Sequence, residues 1–276
     1  MNQQKKEIDE GLRFQFGDNW SRFLDVLGEE HILNAEKSIK RLLGVENLSG
    51  KSFLDAGSGS GLFSLAARRM GARVYSFDYD PKSVACTAEV KRRFYPDDPL
   101  WVVREASVLD KEFLASLGQF DIVYSWGVLH HTGNMWLALD HIAPMVANGG
   151  MLSIAIYNDQ GRASRAWLLV KKAYNLLPNG LRWLVLGPAL LRLWGPTIAR
   201  GMFRGQPLHA WRNYEGRATR GMDPWRDLVD WVGGLPFEVA KPEELFDFYR
   251  AKGFALERLK TCGGGHGCNE LVFKKQ

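Results

Sequence analysis

The chain has 276 residues, 46% of them hydrophobic and 24% charged, a globular composition that excludes a disordered or fibrous protein. That length fits one large domain, or a domain with an insertion, whose core needs no disulfide scaffold. The net charge is +5, and the three cysteines, Cys86, Cys262 and Cys268, are an odd number, so a reducing, cytoplasmic compartment is expected.

The opening residues, MNQQKKEIDEGLRF, contain no apolar core of a signal peptide. Residues 1–48 read as a polar-amphipathic helical segment, and the aromatics of its FGDNW stretch (16–20) are assigned to packing rather than to a lid. Residues 51–56 (KSFLDA) read as a strand ending in glycines, and 61–70 as a helix closed by Gly71. Residues 73–78 (RVYSFD) form the second expected strand. Asp80 and Pro81 then supply an N-cap and a first helical position for a helix to about residue 95. Strands follow at 100–104 and 120–125, a helix bent by Pro144 at 134–147, and a fifth strand at 151–157. The alternation stops for about 80 residues, then resumes with a helix at 242–252 and strands at 254–261 and 270–274.

Short apolar strands alternating with helices predict an α/β fold, a doubly wound and mostly parallel seven-stranded sheet covered on both faces. The expected layout is a helical segment at 1–48, a core at 49–158 and 242–276, and a helical insertion after the fifth strand at 159–241. In the insertion, Trp167, Val170, Tyr174 and Leu177 share a helical face, with Lys171 and Lys172 expected off it. The most apolar stretch, 183–198, is broken by Pro188, Arg192 and Pro196 and falls short of a membrane span.

The loop Asp55-Ala-Gly57-Ser58-Gly59-Ser-Gly61 follows a strand and opens a helix, and Asp78 ends the next strand 21 residues after Gly57. Glycines there permit a tight turn and close approach of a ligand, and a carboxylate at that edge suits ribose hydroxyls. NAD, FAD and S-adenosylmethionine compete for such a loop. Phe63 and Ser64 stand where the dinucleotide fingerprint would continue to its third glycine, and an acid, Asp55, precedes the loop. In this the sequence resembles class I S-adenosylmethionine-dependent methyltransferases, over about residues 50–158 and 242–275. The resemblance implies S-adenosylmethionine as cofactor, with Asp55, Gly57, Ser58 and Gly59 at its methionine end and Asp78 and Tyr79 at its ribose. Ser107 and Val108 are implied at its adenine, and Ser125 and Trp126 at the fourth-strand edge.

Leu129-His130-His131 resembles the small-molecule branch of that family, which includes quinone and sugar O-methyltransferases. The resemblance implies one of the two histidines as catalytic base, aided by Asp159 after the fifth strand. A histidine's ordinary pKa of ~6.5 suits that work at neutral pH. Alternation along the chain expects one of the two to face the pocket, with His130 taken as the stronger candidate. No metal is expected: Cys262, His266 and Cys268 are three ligands at C-x₅-C spacing, and structural zinc needs four. The glycines between them read as a turn that puts His266 at the pocket rim.

Positive charge is concentrated in the insertion: residues 159–240 hold twelve Lys/Arg against six Asp/Glu, and no carboxylate lies between Asp159 and Glu215. A negatively charged partner is expected for that segment. The function read from the sequence is O-methylation of an anionic small-molecule acceptor, a glycan, natural product or lipid-linked metabolite. Peripheral membrane contact through 159–220 stays open. The alternatives are an RNA (tRNA) methyltransferase and a non-catalytic S-adenosylmethionine-binding module. Nucleic acid is not favoured, because no known RNA-binding module is visible.

Overall fold

The computed structural model describes residues 6–8, 10–17, 20, 23–214 and 224–276. Strands β1 (Ser52–Ala56), β2 (Arg73–Asp78), β3 (Trp101–Glu105), β4 (Phe120–Trp126), β5 (Val146–Tyr157), β6 (Phe254–Lys260) and β7 (Cys268–Lys275) form one sheet in the order β3-β2-β1-β4-β5-β7-β6. The first five are parallel neighbours, and β7 runs antiparallel between β5 and β6.

Successive residues of a strand point to opposite faces, and both faces here are apolar. Phe53 belongs to the core beneath α1 (Glu29–Leu43), α2 (Leu62–Arg69) and α3 (Pro81–Phe94), with Ile39, Leu65 and Val90. Its neighbour Leu54 belongs to the opposite core, with Leu114 of α4 (Lys111–Leu117), Leu139 of α5 (Met135–Ile142) and Tyr249 of α10 (Pro242–Arg250). Asp80 caps α3 as its sequence suggested: its carboxylate accepts the Lys82 N–H at 2.9 Å, and Pro81 opens the helix.

The helix expected over 134–147 is shorter. It ends at Ile142, the three-residue turn Ala143–Met145 carries Pro144, and β5 begins at once because Val146 pairs with Phe120.

Between β5 and α10 the chain forms α6 (Arg162–Leu176), α7 (Trp183–Phe203), α8 (His209–Arg212) and α9 (Pro224–Gly233). These bury a small core of their own, in which Trp167 and Tyr174 meet Leu186, Ala189, Leu228 and Val232. The two ends of the segment are tied at the sheet's carboxyl edge. Ala240 donates to Tyr157 O at 3.0 Å, and Asp159 donates to Ala240 O at 3.2 Å. The segment therefore stands over the edge where β1, β2 and β4 end. Helix α7 continues through Pro188 and Pro196, and no helix among the described residues is long and apolar enough to cross a membrane.

Candidate active site

Strand β1 runs out at Ala56 into three glycines with positive φ: Gly57 (+88°), Gly59 (+54°) and Gly61 (+79°). A β-carbon on Gly57 would stand 2.3 Å from the Val128 side chain, and one on Gly61 would stand 2.8 Å from the Thr87 backbone. The loop is thus closed to any other residue by space as well as by dihedral. Asp78, at the end of β2, braces it from the side by accepting the N–H groups of Gly59 and Asp80, each at 2.9 Å. Desolvation raises the Asp78 carboxyl to about 6 despite those bonds. Asp55 is buried below the loop and accepts the Ser64 hydroxyl, and burial raises it to about 7, with the Asp78 charge adding to the shift.

These groups open onto a cavity of about 1030 Å³ at the carboxyl edge of the sheet. Ligand pockets run to roughly 300–1,000 Å³, so it has room for a nucleoside cofactor and an acceptor together. Of the residues assigned from sequence, Asp55, Gly57, Ser58, Gly59, Asp78, Tyr79, Ser107, Val108, Trp126 and His131 line it.

Ser125, His130 and Asp159 are not among its described lining residues. Ser125 is fully buried and donates to Ala56 O at 2.7 Å, tying β4 to the end of β1. His130 is also fully buried. It lies against the Tyr157 ring with centroids 3.9 Å apart, and its Nδ1 accepts the Tyr157 N–H at 3.4 Å. Asp159 accepts the Gly161 N–H at 2.7 Å and serves the entrance to α6. The expectation that His130 faces the pocket with Asp159 behind it is therefore corrected. The Leu129–His131 segment is a tight helical turn rather than a strand, and that turn puts the second histidine on the cavity wall.

His131 has a different brace. Its Nδ1 lies 2.6 Å from Pro236 O. A carbonyl oxygen only accepts, so Nδ1 carries the proton, and in the neutral ring Nε2 carries the lone pair. The Phe16 ring packs on it at 4.8 Å.

Several lining residues lie outside the set assigned from sequence to cofactor and catalysis, although His266 stands at the rim as its turn suggested. Phe14, Phe16 and Trp20 come from the N-terminal segment, and Trp20 Nε1 lies where a Gly59 β-carbon would come within 3.2 Å. Gly17 donates to Asp80 Oδ2 at 2.8 Å and Phe14 to Leu235 O at 3.0 Å, so this strap is fastened on both sides of the cavity. Phe16 and Trp20 thus line the cavity, and Trp20 also packs on the core beside Phe23, in keeping with the packing role expected for them. Asp18 and Asn19 of the same motif lie outside the described residues. Arg13 donates to Glu7 at 2.6 Å and to His131 O at 3.0 Å, and its guanidinium lies 4.9 Å from the Tyr79 ring centre. The far wall is made by Trp194 of α7, Tyr214, Trp231 of α9, Tyr157 and His266. Among the described lining residues there are seven carboxylates and one Arg or Lys, Arg13. That donor set suits a cofactor carrying a cationic sulfonium and an ammonium.

Behind this wall Lys171 is fully buried, contrary to its expected place off the inner face of α6. It follows Trp167 by four residues and precedes Tyr174 by three, the spacing of one helix face. Its Nζ donates to Trp231 O and lies 4.7 Å from the Trp231 ring centre and 4.6 Å from that of Phe237. Burial lowers its pKa to about 7, and Asp230 opposes the shift.

A parallel sheet of this order with one antiparallel strand, a glycine loop after β1 and an acid ending β2 define the class I S-adenosylmethionine-dependent methyltransferase fold. Residues 29–195 match the family model described as methyltransferase domain, and the chain belongs to that family. The Ubiquinone biosynthesis O-methyltransferase of Rhizobium rhizogenes (strain K84) is 34% identical over 142 residues, 51% of this chain and 52% of that protein. The tRNA U34 carboxymethyltransferase of Pseudoalteromonas translucida (strain TAC 125) is 28% identical over 151 residues, 54% of this chain and 44% of that protein. The chain spans about half the length of the curated relatives it matches. Among solved structures, magnesium protoporphyrin IX methyltransferase from Synechocystis PCC 6803 with bound SAH aligns with a TM-score of 0.52 at 16% identity, covering 89% of this chain and 84% of that one.

Proposed function

We propose that the chain methylates a hydroxyl group of a small-molecule acceptor, using S-adenosylmethionine. The observation that carries this reading is His131, on the cavity wall with its Nδ1 proton held by Pro236 O, the tautomer in which Nε2 is the basic nitrogen. When bound, S-adenosylmethionine supplies a sulfonium methyl group, whose displacement requires chiefly alignment. Asp78 accepts hydrogen bonds from the ribose hydroxyls, and the Gly57–Gly59 backbone admits the cofactor's close approach. His131 takes the acceptor hydroxyl's proton at Nε2, work that contributes typically ~10²–10⁴-fold. The Pro236 carbonyl holds the imidazole in place before and after it gains that proton. Trp194, Tyr214 and Trp231 exclude water and favour a flat or apolar acceptor. Relatives named as O-methyltransferases support oxygen as the methylated atom.

The acceptor proposed is neutral or cationic, in place of the anion expected from the sequence. The arginines of the insertion are not on the described wall, where carboxylates outnumber the single guanidinium. The test is transfer of labelled methyl to phenolic, sugar and lipid-linked hydroxyls, beside bulk tRNA. Product carrying a methyl ether supports the reading. Label in RNA, or no S-adenosylhomocysteine from any acceptor, overturns it in favour of an RNA enzyme or a binding module.

A further inference from the structure

Helix α7 is apolar on both sides. Its inner side buries Leu186 and Ala189 and gives Leu193, Trp194 and Thr197 to the cavity. Its opposite side exposes Leu184, Leu191 (73%) and Met202, and its two ends expose Trp183 (65%) and Phe203 (94%). Leu169 and Leu176, on the outer side of α6, are exposed to the same degree. A helix that is hydrophobic all round normally lies inside a protein or in lipid. At 21 residues α7 is long enough to span a bilayer but not apolar enough, which leaves the geometry of a helix lying in the interface.

The charges that α6 and α7 themselves carry are of one sign. Arg165 and Lys172 are exposed on α6, and Arg192, Arg200 and Arg204 are exposed on or just after α7. No carboxylate occurs from residue 160 to 214. Large apolar side chains fringed by cations match a surface that is oily inside and anionic at its rim. A second copy of the chain fits less well, because an isologous interface would bring this cationic patch against itself. RNA fits less well too, since the exposed groups are chiefly aliphatic and offer bases few stacking planes.

We propose that the outer face of α6 and α7 docks on an anionic lipid bilayer, and that the inner face of α7 receives an acceptor resident in that bilayer. The docking stands on the surface alone. The second clause rests on the methyltransferase reading above. It explains why one helix carries both an exposed apolar face and part of the cavity wall, and why the insertion's positive charge lies outside the cavity.

The full chain is sedimented with phosphatidylcholine vesicles, with and without phosphatidylglycerol, at low and moderate salt. Retention on the anionic vesicles alone is expected. Leu191→Glu and Phe203→Glu should each weaken it by ~10-fold or more, and the pair Arg192→Ser with Arg200→Ser should weaken it several-fold and flatten its salt dependence. Unchanged S-adenosylmethionine affinity by calorimetry shows that these variants are folded. No retention on either vesicle, or equal retention of all variants, overturns the docking. So does a wild-type dimer in ultracentrifugation that Leu191→Glu converts to monomer, or tRNA binding at physiological salt that the arginine variants abolish. Vesicle binding without methyl transfer to any hydroxyl would leave the docking standing and remove the methyltransferase reading. Transfer to soluble acceptors without vesicle binding would do the reverse.

Discussion

Beside β1 and β2, the cavity is built by residues about 20 positions apart: Gly57, Gly59 and Asp78 lie on two consecutive strand ends, and the Gly59 N–H donates to the Asp78 carboxylate. Beside α7 and α9, it is built by residues far apart in the chain, with Phe16, His131, Trp194, Trp231 and His266 meeting only in the folded state. The first half is fixed by the large two-sided core of the sheet. The second rests on the insertion's small separate core and on a strap held at its two sides. Substitutions in the second half should therefore change turnover and acceptor choice while leaving cofactor affinity intact. Substitutions in the first half should do the opposite.

The largest effect tests that division at His131. His131→Ala should lower turnover by ~10²-fold or more, with S-adenosylmethionine affinity within about twofold of the wild type. His130→Ala should instead lower thermal stability, because it empties a fully buried site under Tyr157, and its loss of activity should follow the loss of folded protein. Single-turnover rates and unfolding curves on both variants decide the matter. A larger chemical defect in His130→Ala than in His131→Ala would return the base to the buried ring.

On the other side, Asp78→Ala should weaken S-adenosylmethionine by about 2–3 kcal/mol, or roughly 30–150-fold, the scale for hydrogen bonds to a charged group. The single-turnover rate at saturating cofactor should change little. Wild-type affinity in a calorimetric titration would remove the ribose-binding role. The same carboxylate predicts a smaller pH effect. Burial pushes the Asp78 carboxyl up to about 6 and that of Asp55 up to about 7. A cation and two hydroxyl donors favour the ionised forms, so affinity should be full above neutrality. It should fall by ~10-fold between pH 7.5 and 5 as these groups take up protons. Affinity that rises on acidification would contradict both assignments.

The contrast between the halves also explains what the sequence allowed to be read. Glycine spacing, the acid at the end of β2 and the Asp80-Pro81 cap are local codes, and each sits where its residues place it. Seven strands followed from apolar runs of strand length, because a sheet covered on both faces writes itself as such runs. The acceptor wall had no such code. His131 and Asp159 follow neighbouring strands, yet which groups meet depends on how the segment from 159 to 240 returns to the sheet edge. It returns with Pro236 beside His131, and a backbone carbonyl carries no sequence signal. Asp159 is spent on the entrance to α6 instead.

Lys171 gives the finest test of the second half, and the smallest effect on activity. Its helical position makes it an inward residue, and no local rule flags a lysine on such a face as buried. In the unfolded chain this amine holds its proton to about pH 10.4. Folded, it releases the proton at about 7. Between those values the unfolded state binds more protons, so this group makes stability rise as pH climbs from 7 toward 10. Below pH 7 both states are protonated, and its contribution is a constant penalty. Lys171→Met should erase that rise, on the order of 1–2 kcal/mol between pH 7 and 9. It should leave S-adenosylmethionine affinity unchanged. At pH 7 its net effect on stability should be small, because relief from a buried charge is offset by the Trp231 carbonyl losing its donor. Urea midpoints of both proteins at pH 7 and 9 measure the difference. If the two proteins respond equally to pH, the buried ammonium is not what sets the slope. If the variant also loses cofactor affinity, the two halves of the cavity are coupled through α9, and the division argued above fails at that point.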